Sequence, residues 1–386
     1  MINRKNFFHR YIIFLLLVYI APAKAVERHE IHGRLTDAET GKPIVYANVF
    51  LANTTLGTTS DSQGRFVIER VPPGQFTLVI GMMGYAMEQV PVQVTDAGPT
   101  HLPLIRLKPQ AIQGETIEIS AERPVQWEKQ LKKFLPLFLG TSARAEQCRI
   151  LNPEFLDFET KPDGALSATA RAPLIIENPV LGYHITLYLT RFLALPGKFL
   201  SFDIDAHFTP MTPQDNKQQS QWDKARNNAF LGSMNHFLRM AGQKKLKEAD
   251  YEVYALTGLP TARTTVQRTP LLLDSLVSNA PNAHDFMLRA PEYMMIIYKG
   301  QPMPDDYAKV LSQKKGVSGV RFIKGPQESE DYPISYLKTI GSPVTVHRDG
   351  YLYIPQLTTS YGFWETYRVA DMLPLDYKSD FIDTEP

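Results

Sequence analysis

A single cysteine, Cys148, stands among 386 residues, so no internal disulfide can staple this chain. Neither charge sign dominates: 41 Lys plus Arg against 40 Asp plus Glu leave +1, whereas a nucleic-acid-binding surface announces itself as a basic excess. The apolar run at the N-terminus, Tyr11 to Ala21, covers about 11 residues, short of the roughly 20 a spanning helix needs. Glycine motifs that cradle phosphate, G-x-x-x-x-G-K-[ST] and the Rossmann run, do not occur, which argues against nucleotide use. The zinc-peptidase spacings H-E-x-x-H and H-x-x-E are missing too, and His29 with His32 fits neither. There is no G-x-S-x-G elbow; Gly316 to Gly319 falls one glycine short. The 44% apolar and 21% charged residues that are present suffice for packed cores and, at this length, two to three domains.

The first 25 residues read as a secretory leader. Arg4, Lys5 and Arg10 precede the apolar run, and Ala23 and Ala25 give the small-x-small pattern at which signal peptidase cuts. Cleavage after Ala25 removes four basic groups and leaves the exported chain slightly acidic. Export favours disulfides, yet with one cysteine the stability must come from packing, for which the mature chain is long enough.

Residues 26–108 show short alternating apolar runs broken by turn chemistry about every ten residues, the pattern of an all-β sandwich. Val45, Ala47, Val49 and Leu51 put one apolar face at period two. Thr59 to Phe66 reads as a corner in which Asp61 bonds the backbone ahead and Gly64 takes the left-handed conformation. Phe76, Leu78 and Ile80 face inward on a later strand, and Gly84 with Tyr85 opens the turn before Val90, Val92 and Val94. Taken in order, Ile31 to Arg34, Gly41-Lys42-Pro43, Ala47 to Val49, the Thr59/Asp61/Gly64/Phe66 corner, Pro73-Gly74 and Gly84-Tyr85 resemble the carboxypeptidase regulatory-like domain, a transthyretin-like sandwich. The resemblance implies an accessory module, appended to peptidases and to the periplasmic ends of outer-membrane transporters chiefly in Bacteroidota, that carries no catalytic residue, and fold analogy alone licenses no activity.

Residues 109–124, with the alternating set Ile112, Thr116, Ile117 and Ile119 and then Glu122-Arg123-Pro124, read as a linker. About 260 residues follow, too few for the plug and 22-stranded barrel of a transporter. They mix two periods. Trp127, Leu131, Phe134, Leu135 and Phe138 recur at helical spacing, and Ser142 caps a second helix to Cys148. An antiparallel meander spans Phe155 to Phe208, with a hairpin turn at Pro196-Gly197-Lys198. Residues 218–248 form the longest helix candidate; Tyr251 to Leu256, Glu292 to Tyr298, Val320 to Ile323 and Tyr351 to Ile354 read as strands, and Glu365 to Leu373 as a terminal helix. The class expected for 125–386 is α+β with an antiparallel sheet. Phe138 to Thr141, Cys148 to Asn152, Pro173 to Asn178, His236 to Arg239 and Arg368 to Tyr377 resemble the C-terminal region of uncharacterised Bacteroidota envelope proteins, which brings no activity with it.

Candidate chemistry is sparse. At 100° per residue Arg226, Ser233 and His236 share one face of the long helix, and with Arg239 they form a donor-rich set that reads first as a buried network joining helix to sheet and second as a ligand site for a carboxylate or glycan. Cys148 reads as a buried thiol before a nucleophile. Asp203 and Asp205 alternate on one strand face as solvated carboxylates, or as an acid and base pair. Arg368, Asp371, Asp376 and Tyr377 read as pins for the last helix, and Asn53-Thr54-Thr55 is a glycosylation triplet by pattern. No catalytic residue, metal or cofactor is expected. The reading is an exported, non-enzymatic envelope protein of a Gram-negative cell, periplasmic or associated with the outer membrane, that binds an envelope protein or glycan; exposed sandwich edges would serve strand addition. The alternative is a hydrolase of an envelope polymer with its site in the α+β half.

Overall fold

The computed structural model describes residues 29–110, 125–195, 199–258, 266, 269–305, 307–308 and 331–379. The leader, the Ile112 to Ile119 segment, the Pro196 to Lys198 turn and the Val320 to Ile323 strand lie outside them.

Eight strands build the N-terminal part: β1 (Ile31–Asp37), β2 (Asn48–Leu51), β3 (Gly57–Thr59), β4 (Arg65–Ile68), β5 (Gly74–Gly81), β6 (Glu88–Val94), β7 (Thr100–His101) and β8 (Ile105–Leu107). They form two sheets, β4-β1-β7 with β8 also on β1, and β3-β2-β5-β6. Alternation places Ile31, Leu35, Val49, Leu51, Phe66, Ile68, Leu78, Ile80, Val92 and Val94 in one core between them. The corner before β4 is built as expected: Asp61 Oδ1 accepts from the Gln63 and Arg65 amides at 2.8 Å each. Gly64 sits at φ +72°, and a Cβ there would lie 2.3 Å from the Leu35 carbonyl, so the site is closed to any side chain.

The second part holds α1 (Val125–Phe138), β9 (Arg149–Ile150), β10 (Leu156–Thr160), β11 (Leu166–Ala170), β12 (Leu174–Asn178), β13 (Tyr183–Leu195), β14 (Phe199–Pro210), α2 (Asn216–Phe230), α3 (Met234–Gly242), β15 (Tyr251–Ala255), β16 (Val277–Asn279), β17 (Asp285–Leu288), β18 (Tyr293–Tyr298), β19 (Ile334–Thr339), β20 (Val344–His347), β21 (Thr358–Gly362) and α4 (Phe363–Thr366). Its sheets are antiparallel: β10-β11-β13-β12-β9 with β14 along the other edge of β13, then β15-β18-β19-β21 and β16-β17-β20. α1 closes the first core, with Phe134 edge-on to Phe192 at 4.8 Å. α3 and α4 close the next one through Phe237 and Trp364 against Phe286, Met294 and Ile296.

Four expectations are corrected. The long helix is two helices, broken at Leu231 to Ser233: Gly232 turns at φ +77°, its carbonyl accepts from Trp364 Nε1 at 2.7 Å, and the Ser233 hydroxyl caps α3 by accepting from the His236 amide at 3.1 Å. Arg226 therefore shares no helix face with Ser233 and His236. Ser142 to Cys148 is a run of turns, because the Ser142 hydroxyl accepts from the Ala145 amide while donating to the buried Asp371 carboxylate. Tyr351 to Ile354 makes one bridge, Val346 to Leu352, and Pro355 restricts the backbone of Ile354 before it. The terminal helix shrinks to α4 and a 3₁₀ turn at Val369–Asp371, drawn out where Ala370 donates to the Leu139 carbonyl and accepts from Asn178.

The outer face of the β3-β2-β5-β6 sheet is covered by the β13–β14 hairpin. The Phe50 ring stacks on Tyr188 at 5.7 Å and on His207 at 5.2 Å, and a Cβ on Gly81 would meet the Tyr188 hydroxyl at 2.0 Å. Main-chain bonds continue the seam: Asn53 N to Ala206 O at 2.6 Å and Phe208 N to Thr54 O at 2.9 Å. A second seam joins β5 and β6 to the last sheets, where His347 Nε2 donates to the Pro73 carbonyl at 3.0 Å and His284 meets Asp96 at 2.9 Å.

Candidate functional site

α2 starts at Asp215, whose carboxylate accepts from the Gln218 amide at 2.7 Å. Trp222, Ala229 and Phe230 bury one side of the helix, and Trp222 Nε1 donates to the Pro179 carbonyl at 2.8 Å. The ring lies so close over Gly182, φ +66°, that a Cβ would be 2.3 Å away. Seating the apolar side this way turns the polar stripe Ser220, Asp223, Lys224, Asn227 and Asn228 toward an open cleft of about 700 Å³.

Pro374, Asp376, Tyr377 and Lys378 of the C-terminal tail make the opposite wall; Tyr183, Arg226 and Thr55 complete the lining. The tail is held there by the sandwich. Leu375 N donates to Asn53 O at 2.8 Å, Thr55 N donates to Asp376 Oδ1 at 2.9 Å, and the Thr55 hydroxyl donates to the other carboxylate oxygen. Ser379 Oγ closes the end by donating to Asn227 Oδ1 at 2.8 Å. Arg226 is built into the floor: it donates to the Leu181 and Gly182 carbonyls at 2.7 and 3.1 Å and lies 4.4 Å over the Tyr183 ring. Burial raises the Tyr183 hydroxyl above its usual pKa, so it stays protonated.

The other three residues of the sequence set lie behind this wall. Ser233 is the α3 cap. His236 is 2% exposed, and its Nδ1 accepts from the Gly232 amide at 3.1 Å with the Tyr251 hydroxyl at 2.8 Å. Burial, reinforced by Arg239, pushes it down to about 3, so the ring is neutral. Arg239, 4.8 Å over the Phe230 ring, donates to the Asp349 and Tyr377 carbonyls at 3.1 and 2.9 Å, which ties α3 to the cleft wall. Sequence reasoning singled out Arg226, Asp376, Tyr377 and Thr55 but gave the last three no ligand role, and it missed Ser220, Lys224, Asn227, Asn228 and Lys378. The i, i+3/i+4, i+7/i+8 polar stripe of residues 220–228 was the available signal.

The remaining candidates are apart from the cleft. Cys148 is buried, and burial with the nearby Asp371 pushes its thiol up to about 12. Asp371 is itself buried; burial raises it while Arg144, 2.7 Å away, holds it back. Asp203 pairs with Arg191 at 2.9 Å; Asp205 accepts from Gln89 of β6, and burial raises its pKa. His32 lies 2.9 Å from Glu30. Among the described residues no three His, Cys, Asp or Glu side chains are grouped to hold a metal ion, and no helix there is long and apolar enough to cross a membrane.

The two-sheet sandwich agrees with a family match: residues 31–119 fit the model of the CarboxypepD_reg-like domain. The chain carries this domain at its N-terminus. A comparison with curated proteins gave no match. Among solved structures, a cohesin–X-dockerin complex from Acetivibrio cellulolyticus is similar at 21% identity and a TM-score of 0.18, covering 20% of this chain and 56% of that one, so the chain spans just over half of that structure's length. A Bacteroides fragilis protein of unknown function, provisionally described as membrane-associated, matches at 14% identity and 0.18 over 49% of this chain and 84% of that one. A Bacteroides uniformis protein provisionally described as carbohydrate-binding matches at 11% and 0.18 over 47% and 79%. Likeness at this level carries no argument about function. The CarboxypepD_reg-like domain's own part in the cleft is Thr55, at the turn between β2 and β3.

Proposed function

We propose that the chain is an exported, non-enzymatic binding protein of the cell envelope, led out by residues 1–25, and that it takes a glycan in the cleft between α2 and the C-terminal tail. One observation supports this above all. Segments far apart in sequence, namely the β2–β3 turn, the start of β13, α2 and residues 374–378, converge on one cleft lined by hydroxyl, carboxamide, ammonium and carboxylate groups with two tyrosines. Such a set of hydrogen-bond donors and acceptors suits a polyhydroxylated ligand. In this reading Arg226 shapes the floor, Arg239 positions Tyr377, and Ser233 with His236 serve the fold.

Strand addition to the sandwich is the weaker route to a partner. β6 ends its sheet, and Pro91, opposite Thr77, has no N–H to offer an added strand. The outer face of the sheet is already occupied by β13–β14. The test is binding of the purified mature chain to immobilised envelope and host glycans. Retention that is lost in Asn228→Ala with Lys224→Gln supports the reading, and absence of retention on every glycan overturns it. N-terminal sequencing of the exported protein checks the leader, with Val26 as the expected first residue.

A hydrolase remains the second reading, favoured by one observation: two carboxylates, Asp223 and Asp376, line the same cleft. Release of reducing ends from an envelope polysaccharide, abolished by Asp223→Asn, would replace the binding reading with this one.

A further inference from the structure

The lining of the cleft divides sharply. One group of side chains is already committed within the protein. Arg226 donates to two carbonyls and lies 3.7 Å from Asp223, which also accepts from Gln219 at 2.7 Å; Asp376 has both oxygens on Thr55; Asn227 accepts from Ser379. Each acidic group of the lining thus has partners within the protein, Asp376 on Thr55 and Asp223 on Gln219 with Arg226 nearby.

The other group is uncommitted. The side chains of Ser220, Lys224 and Asn228 on α2 and of Lys378 on the tail are exposed and make no hydrogen bond or ion pair among the described residues. They offer a hydroxyl, a carboxamide and two ammonium groups. Two unpaired ammoniums lining one cleft, one from α2 and one from the tail, beside neutral hydrogen-bonding groups, match a ligand that carries both hydroxyls and a negative charge.

Resting on the glycan reading above, we infer that the ligand is an acidic saccharide, its carboxylate or sulfate held between Lys224 and Lys378 and its hydroxyls by Ser220 and Asn228. A neutral sugar would leave both ammoniums unanswered. An acidic peptide would present charge without the ring hydroxyls.

The experiment is isothermal titration of the full mature chain with four probes: an oligogalacturonide, a sulfated chondroitin oligosaccharide, a neutral xylo-oligosaccharide and a short poly-glutamate. The expected result is binding of one or both acidic saccharides, weakened about tenfold or more in the Lys224→Gln/Lys378→Gln double variant and weakened by salt. Which of the two binds distinguishes carboxylate from sulfate. Both lysines are exposed, so an unchanged melting temperature of the variant separates lost binding from lost folding. Equal affinity for the neutral xylo-oligosaccharide, or acidic binding that survives the double variant, overturns this inference and leaves the glycan reading standing. Binding of poly-glutamate alone, or of no probe, overturns this inference, and the glycan reading falls with it when the immobilised glycans above retain nothing.

Discussion

The sandwich and the second region each bury apolar cores, but they assemble them differently. In the sandwich β5 with β6 and β2 with β3 pair across short turns, while β1 takes β4, β7 and β8 and β2 takes β5 from farther along the same domain. Local turn chemistry marks two of the corners, Gly84 between β5 and β6 and Asp61 with Gly64 before β4. In the remainder the decisive contacts span long stretches. Asp371 joins Ser142 and Arg144, and Trp364 bonds Gly232. The first region is thus closed within its own span, its longest pairings running from β1 to β7 and β8, whereas the second is held by groups that find partners more than a hundred residues away.

Two phenylalanines test this contrast most strongly. Phe66 lies in the sandwich core and Phe50 in the seam with β13–β14, and both are buried. Truncating either to Ala should cost about 3–5 kcal/mol. Phe66→Ala should melt the sandwich. Phe50→Ala should in addition expose the seam, read as limited proteolysis within β13–β14 before global unfolding; equal protection in both variants would show that the seam is energetically minor.

Acid should weaken the second region more than the first. The fold holds His236 neutral down to about 3, and burial lowers His207 and His347 as well. The unfolded chain takes up these protons near pH 6.5, so the stability is full above that value and falls as pH drops toward the folded pKa values. His236 alone should account for about 2 kcal/mol by pH 5. Urea melts at pH 7 and pH 5 measure the slope, and His236→Gln should flatten it; a variant as acid-sensitive as the parent would assign the slope elsewhere.

Two smaller effects are expected. Gly81→Ala should cost about 1–3 kcal/mol because its methyl meets the Tyr188 hydroxyl, and Tyr188→Phe should relieve part of that in a double-variant melt. Ser233→Ala removes the α3 cap and should cost about 1 kcal/mol in thermal unfolding, without moving Arg226.

Much of the fold was legible. Tyr183 to Leu195 and the Asp61/Gly64 corner arise from period-two alternation and turn chemistry, and the structure places them there. The break at Gly232 was passed over because helical periodicity continues through it, although Gly232 followed by the cap residue Ser233 was a local signal; the bond from Trp364 and the packing of Tyr298 fix the turn there. The cleft was illegible for a related reason. Its stripe on α2 is polar and reads as a solvated face until the tail, drawn across by Asn53 and Thr55, supplies the opposite wall.

Local sequence therefore dictates the sandwich, the long hairpin and the polarity of α2, all of which rest on interactions between residues near in the chain or on strict alternation. Tertiary packing dictates that the sandwich is covered on its outer face, and that Lys224 and Lys378 line one cleft. Those outcomes depend on which distant groups come within a few ångströms, and neither periodicity nor composition carries that information.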